Sequence, residues 1–265
     1  TYTLSGSNAY AGLTTLNTGT LKLGHANALG SGDNTLGTGI RLAGGNLDLN
    51  GQNVGTEALS LNSTTSYVTN SSTTTAVWGG NIYLTNSANN FNVGAGKDIT
   101  LNGSIVYGTS SRLLNKNGDG VLTVAGSANT NSGAISINAG TLRMGNATAL
   151  GSNGTSNDVT VATGATLDLN GYTASSSIKP IKISGTGVGG NGALQNSSNG
   201  TTATVNNAVV LNTDSSIGGA GSITIAGAVS GTGRLTKDGS GTLQLSGNTF
   251  SGGVTLNSGT LALAS

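Results

Sequence analysis

One peptide pattern occurs three times in this chain, and it restricts the fold more than any other feature. Residues 12–24 read GLTTLNTGTLKLG, residues 133–145 read GAISINAGTLRMG and residues 252–264 read GGVTLNSGTLALA. Gly19, Gly140 and Gly259 share one position of the pattern, so the copies lie 121 and 119 residues apart (140 − 19 and 259 − 140). The likeness continues between them. HANALGSGDNTLGTGIRLAGGNLDLNGQNV (25–54) parallels NATALGSNGTSNDVTVATGATLDLNGYTA (146–174), and residues 60–126 track residues 182–247. The chain therefore reads as one continuous solenoid, 1–265, with units at about 1–121 and 122–241 and the start of a third at 242–265. Long internal periods of this kind mark architectures in which each segment buries its apolar side only against its neighbours.

Within each unit, short segments carry aliphatic residues at i and i+2: Leu21–Leu23, Leu47–Leu49, Ile99–Leu101, Ile135–Ile137, Val159–Val161, Ile223–Ile225 and Leu243–Leu245 among them. That spacing points one face of a strand inward. Turns of the NG, AG, TG and SG type separate the segments, since glycine supplies positive φ at little steric cost. Such turns suit antiparallel hairpins or the corners of a parallel solenoid. A hairpin array would expose long edges and need a second sheet. Solenoid coils instead stack, forming ladders of aliphatic, Asn and Thr side chains, and the long self-similar period favours them. With aromatics at 3% of residues, the core is a thin one of medium aliphatic side chains. A coil of about 20–25 residues predicts roughly 11–13 coils and, at about 4.8 Å per coil, a rod of roughly 55–60 Å. A single proline and a net charge of +1 set the chain apart from disordered sequences.

Several functions are disfavoured by what the chain lacks. Ten scattered Lys and Arg against nine acids offer no basic patch for nucleic acid. No apolar run is long enough for a membrane-spanning helix. The chain contains no cysteine, which excludes disulfides and thiolate metal sites. GTGVGG (185–190) and GAGKD (94–98) precede no helix, so neither has the helix N-terminus that holds phosphate. NKNGDG (115–120) resembles the front of an EF-hand loop, yet Gly126 stands where the closing Glu belongs. GSGDNTLG (30–37) is a single calcium-nonapeptide look-alike without a tandem copy. No metal, cofactor or catalytic residue is therefore assigned. Asp48 and Asp168 share one position in LDLNG and are read as turn or ladder residues. Asp33, Asp98, Asp119, Asp158, Asp214, Asp238 and Glu57 show no paired spacing, and His25 is replaced by Asn146 in the second unit.

Trp78, Tyr83, Phe91 and Tyr107 crowd into the first unit, where the second has smaller residues. They are the candidate contacts for a sugar or a protein partner, the alternative being a thicker stretch of core.

The stretch GTGRLTKDGSGTLQLSGNTFSGGVTLNSGTLALA (231–264) resembles the autotransporter-associated β-strand repeat, also called the passenger-associated transport repeat. VTVATGATLDLNG (159–171), residues 189–231 and their copies in the first half resemble the segments between such repeats. The resemblance implies a right-handed parallel β-helix, secreted and displayed at the bacterial surface. The translocator β-barrel of that family is not among these residues. The expected function is non-enzymatic: a structural or adhesive stalk of a surface passenger, or a subunit of an extracellular filament. A glycan- or surface-binding adhesin module is the alternative, and a polysaccharide-degrading β-helix a more distant one. Expected partners are neighbouring coils, copies of the chain stacked head to tail, and host or matrix glycan or protein. Neither nucleic-acid binding nor membrane insertion is expected of this segment.

Overall fold

The computed structural model describes residues 1–107, 112–152, 157–174 and 179–263. Within them the chain is a parallel β-solenoid of about eleven turns with the right-handed sense. At about 4.8 Å per turn its length is roughly 50–55 Å. A single 3-10 turn at Val188–Gly190 is the one helical element among the described residues.

Each coil contributes up to three short strands, and each strand pairs in parallel with its counterparts in the coils above and below. Three faces result. On the first, Leu21, Leu47, Val68, Phe91, Lys116, Ile137, Val161, Ile183 and Leu211 stack one upon the next. On the second, one inward ladder runs Val54, Trp78, Leu101, Val124, Met144. Another runs Leu142, Leu167, Leu194, Ile217, Lys237, Leu256. The third face stacks Leu16, Leu42, Leu61 and Leu84 in the early coils. It resumes as strands with Val205, Ile225, Leu245 and Leu263. Alternation puts the aliphatic of each strand inside, where most are fully buried. The core is thus a stack of single layers, and every coil supplies the floor for the next.

Polar ladders run outside. Asn117 donates to Asn92 Oδ1 (2.9 Å), and Asn138 donates in turn to Asn117 Oδ1 (2.7 Å). At some corners coils approach so closely that a side chain has no room. A Cβ on Gly103 would overlap the carbonyl group of Gly80 and lie 2.9 Å from Gly79 O.

The three copies of the sequence pattern do not sit above one another. The first occupies Thr14–Leu16 on the third face and Thr20–Leu23 on the first. The second occupies Ile135–Ile137 on the first face and Thr141–Met144 on the second. The third occupies Val254–Leu256 on the second and Thr260–Leu263 on the third. From one copy to the next the chain completes five turns and one further face, which gives roughly 22–23 residues per turn.

Candidate functional site

The aromatic cluster does not form a ligand platform. Trp78 and Phe91 are both 0% exposed, so as surface contacts they are corrected to core residues. Register is the reason. Trp78 stacks on Val54 and Leu101, and Phe91 on Val68 and Lys116, all inward positions. Tyr83 points outward from Ile82–Leu84, half-buried, and its hydroxyl donates to Asn34 O (2.7 Å). The side chain of Tyr107 lies outside the described residues.

Most carboxylates are engaged in holding turns. Asp48 Oδ1 accepts from Asn50 N (3.0 Å) and Ser71 N (2.9 Å). Asp168 Oδ1 accepts from Asn170 N and Ser197 N (both 3.0 Å), while its Oδ2 takes Ser197 Oγ (2.7 Å) and Arg143 Nε (2.9 Å). Both serve an Asn-Gly corner whose asparagine has a positive φ of 48°, as their shared place in LDLNG suggests. Asp98 receives Val121 N, Asp214 receives Arg234 N, and Asp158 pairs with Lys182.

Three lysines were not singled out by the sequence. Lys116 and Lys237 hold the same position in the repeat, at the start of NKNGDG and TKDGSG without their first residue. Both side chains run inside the solenoid. Lys116 Nζ donates to Gly118 O (2.6 Å), Ala139 O (2.9 Å) and Asn117 O (3.3 Å). Lys237 Nζ donates to Asp238 O (2.7 Å), Gly239 O (2.8 Å) and Ser258 O (3.2 Å). An ammonium has three donors and no acceptor, so three turn carbonyls satisfy it. Each lysine thereby ties its own turn to the turn of the next coil. Burial pushes Lys116 down to about 8, with Asp119 and Asp98 acting the other way, and lowers Lys237 as well.

Lys179 is also buried and donates to Asn131 O (2.8 Å) and Leu150 O (3.0 Å); burial lowers it to about 8. Its counterpart in the first unit is Glu57. The residues that follow them correspond, Ala58 O accepting from Ile40 N and Pro180 O from Val159 N. Glu57 is 4% exposed, accepts from Gly32 N through Oε1, and leaves Oε2 without a partner. Burial, with Asp33 adding to it, pushes Glu57 above the usual carboxylate range.

The concavity best equipped to hold a ligand lies on the third face. Thr15, Arg41, Ser60 and Tyr83 occupy successive outward positions there. Residues 31–38 arch beside them, pinned at both backbone and side chain. Asn34 N donates to Thr56 O (2.9 Å), Asn34 Oδ1 accepts from Asn81 N (2.8 Å), and Tyr83 supplies its hydroxyl. Asp33 closes the arch by accepting from Thr35 Oγ1 (2.6 Å) and Thr38 Oγ1 (2.9 Å), bonds that hold its carboxyl below the usual range. Beneath the arch is a cavity of about 250 Å³ walled by Leu13 and Leu36 and floored by Arg41, Ser60, Asn62 and Thr85. Leu36 is 60% exposed. No carboxylate lies within ion-pair distance of Arg41 among the described residues.

Coils stacked on three faces around single-layer cores, with buried lysines clamping successive turns, make the chain a parallel β-solenoid repeat protein. The sequence model of the passenger-associated-transport-repeat matches residues 1–23, 114–144 and 235–263, and the last two segments contain Lys116 and Lys237. The chain is also 34% identical, over 275 aligned positions and 98% of its length, to the adhesin BmaC autotransporter of Brucella suis biovar 1 (strain 1330). It spans about 6% of that relative's length. No solved structure matches it.

Proposed function

We propose that the chain is a length of the rod of a surface-displayed adhesin, and that it works by holding and presenting surface, without catalysing a reaction. The observation that carries this reading is the continuous stack of coils, in which almost every inward position is spent on joining one coil to the next. Similarity to an autotransporter adhesin along nearly the whole chain supports surface display and an adhesive role. The carboxylates support the non-enzymatic part, because those at Asp48, Asp98, Asp168 and Asp214 are committed to backbone N–H groups of corners and coils. A hydrolase or lyase of polysaccharide needs acids free to face the substrate.

The test displays the chain at high density on beads and measures retention on immobilised glycans and extracellular-matrix proteins, alongside release of sugar fragments from acidic and neutral polysaccharides. Retention without release is expected. Fragment release abolished by one Asp substitution overturns the non-enzymatic reading, and no retention on any surface overturns the adhesive one.

A further inference from the structure

We propose that the cavity beneath residues 31–38 on the third face binds a carboxylated sugar of an acidic glycan, with Arg41 receiving the carboxylate. This rests on the adhesive reading above and names the ligand class for it.

Arg41 is the first ground. It is exposed, its guanidinium has no hydrogen-bond or ion-pair partner among the described residues, and it lines a half-enclosed space. A guanidinium in such a place offers a planar fork of donors that fits a carboxylate at two points. The nearest acid in the arch, Asp33, is turned onto Thr35 and Thr38, and Glu57 is buried against Gly32. The charge is therefore left for something from outside.

The remaining lining selects the rest of the ligand. Ser60, Asn62 and Thr85 supply neutral hydroxyl and amide groups. Asn62 Oδ1 accepts from the Thr85 hydroxyl (2.7 Å), and among the described residues its NH2 has no acceptor. Leu13 and Leu36 add an apolar part to the lining. A sugar ring has hydroxyls at its rim and C–H faces above and below, which suits a cavity of that mixed character. About 250 Å³ accommodates one such ring.

Two features argue against a peptide. The backbone N–H and C=O groups of Ile40–Leu42, Leu59–Leu61 and Ile82–Leu84 are already used between coils, so no edge is open for strand addition. The volume also admits little beyond one or two residues. The sequence at this place differs between the two units. Ile40 lies ten positions after Gly30, whereas Val159 lies eight after the equivalent Gly151, and Thr160 stands where Arg41 does. Repetition builds the rod; this longer arch with its unpaired cation departs from the repetition.

The experiment titrates the whole chain with sialyllactose, a hyaluronan tetrasaccharide and lactose by calorimetry, for the natural chain, Arg41→Gln and Leu36→Ser. Binding of at least one carboxylated oligosaccharide at least tenfold tighter than lactose is expected, weakening as salt rises. Arg41→Gln should lose tenfold or more, and Leu36→Ser should weaken binding without removing the preference for the acid. Fluorescence of Trp78 verifies that each variant is folded. Equal affinity for acid and lactose, or an unaffected Arg41→Gln chain, would sink the proposal. Beads bearing Arg41→Gln separate the two readings. If they are retained as well as the natural chain, the cavity is not the site and the adhesive reading stands; if neither chain is retained anywhere, the adhesive reading itself fails.

Discussion

Gly103→Ala is expected to be among the most destabilising single changes in this chain, and the corner geometry says why. The new methyl group would overlap the Gly80 carbonyl in the coil below. Restoring ordinary contact requires the coils to part by roughly 1 Å or more at that corner. Asn102 N and Gly103 N both donate to Trp78 O there, at 2.8 and 3.2 Å. Parting on that scale takes both beyond useful hydrogen-bond length, a loss of about 1 kcal/mol each. It also loosens the packing of Trp78, Leu101 and Ile105, all buried at this level. Overpacking adds about 1–3 kcal/mol, for a total of about 3–5 kcal/mol. Gly96→Ala is the control. Gly96 has a φ of 63° but nothing within 4 Å of a Cβ, so its cost is the backbone conformation alone, about 1–2 kcal/mol. Guanidinium unfolding followed through Trp78, the single tryptophan, reads the event beside the perturbed corner. Indistinguishable midpoints for the two variants would refute the idea that close approach of coils, and not local conformation, fixes the corner glycines.

Two further expectations concern charge. Asp168→Asn places an amide N–H against Arg143 Nε and Ser197 Oγ, and should cost about 2–3 kcal/mol in denaturant unfolding, discounted for the partial exposure of Arg143. Asp48→Asn should cost nearer 1 kcal/mol, because Lys22 stands 4.0 Å away. Buried Lys116 and Lys179 release their protons near pH 8 in the folded chain, against about 10.5 when unfolded. Between those values the folded form holds fewer protons, so stability should rise with pH, by about 1.5 kcal/mol per lysine from pH 8 to 9.5. The gain is complete above the unfolded value and is lost as pH falls through 8. Unfolding midpoints measured across that range should rise, and Lys179→Met should flatten its share; a flat natural profile contradicts the assignment.

The repeat and its i, i+2 aliphatics made the strands legible, because a single-layer core leaves one inward parity to fill. Asp48 and Asp168 were legible for a related reason: identical surroundings in two copies indicate a shared structural duty. Of the aromatics, Trp78 and Phe91 take the alternative reading, a thicker stretch of core. Trp78 follows Ala76 at the same parity as Leu101 after Ile99, and that alternation, read strictly, places it inside. Lys116 and Lys237 sit at inward parity too, but a lysine in a strand suggests solvent until the carbonyls that receive it are known. Two of those carbonyls belong to the lysine's own turn and the third to the turn one coil away. The cavity at Arg41 was less accessible still, since it depends on register across several coils and on the arch at 31–38. Its trace in the sequence is the two-residue difference in length between the units, together with Arg41 in place of Thr160.

The extra face gained between successive copies of the pattern bears on how such rods behave in a crowd. In a rod that kept this phase, a group tied to the repeat would point in three azimuths in turn, each about 25 Å beyond the last. The sequence would return to its starting direction only after sixteen turns. Neighbouring rods could not lie flank to flank with like residues matched along their length, as flat sheets do when they aggregate. The same screw would let a partner approach from any side and still meet every kind of surface the repeat has to offer.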